Sequence, residues 1–385
     1  MMVGALIVVM IMGTSLLGGV SEVFKIADRG ERIILFDMTT DPFVRSSFLM
    51  VSVGLTTMWI SNIGVSPECV QRFLAIPTLS DSRKVVWIFG IGHIIIKLCS
   101  VYNGLIVYGK YADCDPVTDG RVKKPDQIFA YYVLDVASSV PGLSGLFVAG
   151  IFSAALSSMS SCMNTLAGTF YMDFVKHKYP SLSDETGSRI MKMSVVFIGT
   201  TCLGLVFVVE KLGNIFSLGI SLGGVTAGTL LGIFTLGMLC PRANTAGARW
   251  GAYASLVIVS AIVCGAQMNI AEGNLKYSSL PFNLTGCTST NATSIIYNEH
   301  HDNSSVPWIF RIGFMYYSVI GALIVFIVGY PVSILTGGDE DIDERLLAPF
   351  MRSWYRNQRK SKKMNQEMHV FLAPPPSKDL PQSDT

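Results

Sequence analysis

The chain has 385 residues, of which 50% are hydrophobic and only 15% are charged, and its mean hydropathy is +0.47. A water-soluble chain of this length would struggle to bury so much apolar surface, so the composition predicts a lipid environment. The net charge of +2 is small, and the basic residues form no stripe interleaved with aromatic residues. A nucleic-acid partner is therefore not expected.

Eight apolar runs are long enough to cross a bilayer, since a spanning helix needs about 20 mostly apolar residues. They lie near residues 1–20, 46–76, 84–109, 143–170, 190–209, 213–239, 247–268 and 309–336. No alternation typical of strands competes with these runs. The first run lacks the basic start and polar cleavage region of a signal peptide, so we expect a retained helix. The sequence predicts an all-α polytopic membrane protein whose transmembrane domain covers residues 1–338.

Two patterns predict the orientation in the membrane. Asn283, Asn291 and Asn303 each open an N-glycosylation sequon, and all three fall in the polar connection 269–307, which should be extracellular. The short loops on the opposite side carry the basic residues Arg72, Arg83, Lys84, Lys176, Lys178, Arg189, Arg242 and Arg249, as cytoplasmic loops do. We therefore expect a multi-pass plasma-membrane protein with a cytoplasmic C-terminus.

Residues 339–385 are expected to form a basic cytoplasmic tail that is disordered, most clearly beyond Ala373, where Pro and Ser dominate. Its first part holds Arg352, Arg356, Arg359, Lys360, Lys362 and Lys363. Such a juxtamembrane stretch either rests on anionic lipid or is simply solvated.

Cys114 and Cys287 differ from the other six cysteines, which lie within or at the ends of apolar runs without the spacings of metal sites. These two fall in polar connections that the predicted topology places on the same side. They form either a disulfide or two free thiols.

The second run is too long for one crossing and contains Gly64-Val65-Ser66-Pro67-Glu68. Pro67 removes a backbone donor and Gly64 tolerates non-helical dihedrals, so the helix should break here. At membrane depth, unwound backbone is tolerated only against a cavity or packed protein, where transporters use it to hold ions and anions. The alternative is that the helix ends here at the cytoplasmic surface.

The fourth run carries Ala154, Ser157, Ser158 and Ser161 at spacings that place them on one helix face. Serine hydroxyls and a freed carbonyl are the hard oxygen ligands that a sodium ion prefers. Small-residue stripes also let membrane helices pack closely, and the spacing alone leaves both interpretations open.

Lys97 lies near the middle of the third run, one turn after His93. An unpaired ammonium at that depth costs at least ~2.5 kcal/mol, so Lys97 must face protein or water. It is either a counter-charge for a carboxylate substrate or the partner of an acidic residue. No Walker loop, HExxH, GxSxG or pair of intramembrane carboxylates occurs, which argues against an ATP-driven pump or an enzyme.

One stretch resembles the signature of the sodium:solute symporter family: Gly237-Met238-x3-Arg242-x4-Gly247-Ala248-x2-Gly251. The motifs Val70-Gln71-Arg72, Ser157-Ser158, Cys114-Asp115-Pro116 and Pro125-Asp126-Gln127 support the likeness, and the last two resemble the monocarboxylate and multivitamin branch. The similarity runs from Met1 to about Gly338.

The resemblance implies a leucine-transporter-type inverted-repeat fold, sodium coupling and a small carboxylate substrate. It assigns sodium ligands to the Ala154 carbonyl and the Ser157 and Ser158 hydroxyls. It makes Asn62, Gly64, Ser66 and Glu68 candidates for the substrate cavity, whereas Lys97 departs from the family pattern.

In the family, about five helices precede the equivalent of the first run. We therefore expect either a fragment or a short form that needs a missing N-terminal half or a partner chain. The expected function is sodium-coupled symport of monocarboxylates or carboxylate vitamins. The alternatives are a non-transporting sensor or interaction fragment, and a sodium-independent carrier.

Overall fold

A computed structural model describes residues 2–44, 47–138, 140–209, 215–277, 280, 286–287, 305–337, 342–358 and 364. Regular structure within these ranges is helical throughout, as predicted. The α-helices are α1 Met2–Leu16, α2 Val20–Arg29, α3 Thr56–Ile60, α4 Pro67–Leu74, α5 Leu79–Lys110, α6 Ile128–Ala137, α7 Leu143–Phe170, α8 Asp184–Val209, α9 Ile215–Leu239, α10 Thr245–Ala271, α11 Trp308–Arg311, α12 Tyr317–Leu335 and α13, residues 349–358. Short π-helical turns cover Met50–Leu55, Ser61–Val65 and Tyr171–Lys176.

Within the described ranges, 6 helical segments are long and apolar enough to cross a bilayer. They are Leu79–Lys110, Leu143–Lys176, Asp184–Phe207, Ser217–Leu239, Thr245–Ala271 and Phe314–Leu335. The pair α1 and α2 gives a seventh if it counts as one span, and Met50–Val65 is a shorter apolar helix. Each of the eight predicted runs is thus largely helical, and the chain is a multi-pass helical membrane protein.

The first predicted span is not one straight helix. Helix α1 ends at Leu16, and α2 leaves it at an angle of 77°. Gly18 and Gly19 make the corner with φ values of +89° and +110°, which glycine adopts at little cost because it lacks a Cβ. The apolar run near residues 1–20 thus contains α1 and the corner that leads into α2.

Helix α6 was absent from the predicted elements. Its ten residues, Ile128–Ala137, are too few for a search based on bilayer-length runs, although its apolar content is high. Tyr132 and Val133 of α6 are nevertheless buried in the main apolar cluster. The helix was not predicted because it is short, and not because its composition is polar.

The described residues divide into two compact units. The first comprises residues up to 227 together with 259–319. Its apolar core joins α1, α2, α5, α6 and α7 through Val9, Val23, Ile106, Tyr132 and Phe147. Close packing at Gly13 of α1 brings Tyr132 and Ile106 to where a Cβ would sit.

The second unit comprises residues 228–258 and those from 320 onward. A Cβ on Gly247 of α10 would collide with Ser333 and the Gly329 carbonyl of α12, and one on Gly251 would lie 2.9 Å from the Val325 carbonyl oxygen. Two glycines of the sequence signature, Gly247 and Gly251, thus permit close approach of α10 and α12.

Part of the predicted disordered tail is ordered. Residues 344–346 form a 3₁₀ turn and residues 349–358 form α13. The expectation of disorder over the whole of 339–385 is therefore wrong for this segment, because Leu347 is buried and specific hydrogen bonds fix the chain.

Candidate functional site

The second predicted span breaks at Ser66. A π-helical turn over Ser61–Val65 precedes it, Ser66 itself is extended with ψ 127°, and Pro67 opens α4. The ring of Pro67 disfavours a helical conformation at the residue before it, which explains the position of the break. The predicted interruption is confirmed, and its depth in the membrane stays a prediction.

One face of this broken helix is packed. Ser61 is 1% exposed, and its Oγ donates a hydrogen bond of 2.7 Å to the carbonyl oxygen of Ala227 in α9. Asn62 and Ser66 are half-buried, whereas Gly64 is exposed. Ser61 therefore serves helix packing, whereas the predicted cavity residues Asn62, Gly64, Ser66 and Glu68 all keep some exposure.

The middle of the serine row on α7 is exposed. Ser157 and Ser158 are exposed and Ala154 is half-buried. Neither hydroxyl of this serine pair makes a hydrogen bond to any residue that the structure describes. Within the described chain, the pair is therefore not buried against a neighbouring helix, as the packing interpretation would require.

Arg72 connects the broken helix with the serine row. Its Nη2 donates to Glu68 Oε1 at 2.8 Å and to Ser161 Oγ at 2.7 Å. Glu68 and Arg72 are one turn apart on α4, and Ser161 lies one turn beyond Ser157 and Ser158 on α7. Sequence reasoning missed Arg72 as a site residue, although the four-residue spacing of Glu68 and Arg72 could have indicated the ion pair.

Lys97 lies against an aromatic cluster that joins α5 to α3. Its Nζ is 5.8 Å from the centroid of the Trp59 ring, and that ring meets His93 at a centroid distance of 4.5 Å. Phe89 stacks on His93 with a centroid distance of 5.8 Å. Among the residues that the structure describes, no carboxylate lies within 4 Å of Lys97 Nζ. The face of Trp59 offers the ammonium a weak attraction that leaves its charge unneutralised.

A disulfide joins Cys114 and Cys287, with a Cα–Cα distance of 5.1 Å. Next to it, the backbone N–H of Gly286 donates to the Asp113 carbonyl at 3.0 Å. The connection after α5 is thus tied to the connection after α10, as a same-side topology requires. The side chains of both cysteines and of Asp119 cluster within 4.8 Å, but disulfide sulfurs offer no thiolate to a metal.

The predicted glycosylation residues Asn283, Asn291 and Asn303 lie outside the described residues. They belong to the same connection, 269–307, as Cys287. Their modification stays a prediction.

The sequence model of the sodium:solute symporter family matches residues 1–254. The chain belongs to this family. It is 32% identical over 354 residues to sodium-coupled monocarboxylate transporter 2 of Homo sapiens, covering 90% of this chain and 57% of the relative.

Two further relatives extend the comparison. The chain is 34% identical over 365 residues to sodium-coupled monocarboxylate transporter 1 of Homo sapiens, covering 90% of this chain and 59% of the relative. It is 30% identical over 331 residues to a putative sodium-dependent multivitamin transporter of Drosophila melanogaster, covering 82% and 53%. The chain thus spans somewhat more than half the length of these curated relatives.

Proposed function

We propose that this chain takes part in sodium-coupled symport of small organic anions, either monocarboxylates or carboxylate vitamins, across the plasma membrane. The observation that carries the proposal is the pair of uncovered hydroxyls of Ser157 and Ser158 on α7. The chain belongs to the sodium:solute symporter family. The helix that carries the pair, α7, is also hydrogen-bonded through Ser161 to Arg72 of the broken helix. The relatives, named as sodium-coupled monocarboxylate and sodium-dependent multivitamin transporters, support the sodium coupling and the substrate class.

Sodium is the proposed co-substrate and binds to oxygen atoms of α7. The Ser157 and Ser158 hydroxyls and the Ala154 carbonyl are its ligands, since an alkali cation favours such neutral oxygens. Three oxygens leave a sodium ion incompletely coordinated. The remaining ligands come from a first-repeat segment or from a partner chain.

The substrate carboxylate is proposed to bind between the broken helix and α5. Asn62 and Ser66 offer polar side chains, and the exposed backbone at Gly64 admits close approach of a ligand. Lys97 supplies the positive charge, which has no carboxylate partner among the described residues. Glu68 is paired with Arg72 one turn away on α4, and Arg72 in turn donates to Ser161 of α7.

Transport follows from alternating access. Sodium binding on α7 favours the outward-open state, the anion joins it, and the helices rock to open the site inward. The inside-negative potential contributes about 2.3 kcal/mol per elementary charge and 100 mV to sodium entry. The proposed orientation, with a cytoplasmic C-terminus, is supported by the basic short loops and by the disulfide between two connections of the opposite side.

Uptake of labelled lactate, nicotinate and biotin by cells that express this chain tests the proposal, with choline replacing sodium in parallel. Sodium-dependent uptake is the expected result, and surface biotinylation controls for expression. Uptake without sodium dependence would identify a sodium-independent carrier.

A non-transporting sensor or interaction subunit is the second candidate, because the chain spans little more than half of its curated relatives. Surface expression without any uptake would support this alternative. Restoration of uptake by co-expression of the N-terminal half of a relative would instead support transport with a partner chain.

A further inference from the structure

Helix α13 starts at the end of a membrane-spanning helix. The backbone N–H of Ala348, just before α13, donates a 3.1 Å hydrogen bond to the carbonyl oxygen of Met238 near the end of α9. Leu347 is only 1% exposed. The segment is therefore anchored at the level where α9 leaves the membrane.

Arginine side chains fix the direction of α13. The Nε of Arg352 donates to the Leu347 carbonyl at 2.8 Å, and its Nη2 donates to the Arg345 carbonyl at 2.7 Å. Arg356 pairs with Glu344 at 2.9 Å. These bonds turn one side of α13 toward the preceding 3₁₀ segment and leave the other side free.

The free side of α13 is apolar where a solvated tail would be polar. Phe350 and Trp354 are one turn apart and are 69% and 49% exposed, and Leu346 before them is 69% exposed. The sequence that follows α13 carries four positive charges within five residues, on Arg359, Lys360, Lys362 and Lys363. An exposed aromatic face continued by a polybasic stretch is typical of a helix at an anionic membrane surface.

We propose that α13 lies on the anionic surface of the bilayer that α9 and α12 cross. Phe350 and Trp354 enter the headgroup layer, where Trp is favoured because its apolar ring and polar N–H meet both environments. The basic residues after α13 attract acidic phospholipid headgroups. The anchor at Met238 supports this partner, because a helix already held beside the membrane loses less freedom on binding.

Hydrogen–deuterium exchange of the full chain in nanodiscs tests this proposal. One set of discs contains phosphatidylcholine alone, and the other contains about one third phosphatidylserine. We expect amides of residues 349–358 to exchange at least about fivefold more slowly in the anionic discs, since each basic residue near such a surface contributes about that factor. The doubly substituted F350S/W354S chain should lose most of this protection, whereas N357S, a polar change on the same helix, should keep it.

A second variant separates charge from insertion. Replacement of Arg359, Lys360, Lys362 and Lys363 by Gln should remove the difference between anionic and neutral discs and leave the exchange of α9 and α12 unchanged. Equal exchange in both lipids for the unmodified chain would overturn the proposal. Protection that rises with the number of chains per disc would also overturn it, since the aromatic face would then bind a second copy.

Discussion

Serine substitutions at two kinds of position should separate ion binding from helix stability. Ser157 and Ser158 are exposed and have no hydrogen-bond partner among the described residues, so Ser157→Ala or Ser158→Ala removes no internal contact seen there. Ser61 is buried and bonded to the Ala227 carbonyl, so Ser61→Ala removes an interhelical hydrogen bond with a net contribution of about 1 kcal/mol. The two kinds of serine should therefore give opposite phenotypes.

The expected effect on sodium follows from the loss of one oxygen ligand. Hydrogen bonds to charged groups contribute about 1.5 to 3 kcal/mol, and a hydroxyl–sodium contact of that size changes affinity about tenfold to 150-fold. Ser157→Ala and Ser158→Ala should each raise the half-saturating sodium concentration by such a factor. Their thermal denaturation midpoints should equal that of the unmodified chain.

The assay measures uptake against sodium concentration, together with the denaturation midpoint of each purified variant. Ser61→Ala should lower the midpoint and leave the sodium dependence nearly unchanged. Ser160→Ala, an exposed change on the same α7, is the matched control. An unchanged sodium dependence in both Ser157→Ala and Ser158→Ala would refute the assignment of sodium to α7.

Three further predictions concern contacts elsewhere in the chain. Gly247→Ala should destabilise the protein by about 1 to 3 kcal/mol in denaturation experiments, because its Cβ would collide with α12, whereas Gly237→Ala, which meets open space, should not. A double-mutant cycle of Arg72→Gln and Ser161→Ala should give a small but measurable coupling of about 0.2 to 1 kcal/mol in stability, because the Arg72 side chain is 60% exposed; full additivity would contradict the contact. Cys114→Ser should lower the denaturation midpoint under oxidising conditions, with a typical loss of about 2 to 5 kcal/mol, and dithiothreitol should then have no further effect.

Local signals predicted the helical architecture well, because bilayer thickness dictates the length of an apolar run. Pro67 likewise predicted the break at Ser66 from backbone chemistry alone. The local signals did not predict α6, because this helix is too short to be recognised as a bilayer-length run. They also did not predict the sharp turn at Gly18 and Gly19, because apolar content says nothing about where a chain changes direction. The leucine-transporter-type repeat within this architecture stays a prediction.

The candidate site was predictable only in part. The spacing on α7 identified the row of hydroxyls, but nothing in the sequence tells that Arg72 reaches Ser161 or that Trp59 lies over Lys97. These contacts join elements far apart in the chain, and local periodicity carries no information about them. Ser61 illustrates the opposite difficulty: it is a polar residue beside the break, yet the structure uses it for packing against α9 and not for a ligand contact.

Small and hydroxylated residues occur in this chain in two structural settings, which bears on the proposed sodium site. In the second unit, Ser255 is fully buried, accepts or donates a 2.7 Å hydrogen bond with Thr229, and donates to the Gly321 carbonyl at 2.9 Å. That is how membrane helices use serine for close packing. Ser157 and Ser158 are also serines on a membrane-spanning helix, but they have no such partners among the described residues. Uncovered hydroxyls on α7 are what the proposed sodium site requires, and the uptake measurements on Ser157→Ala and Ser158→Ala test that proposal.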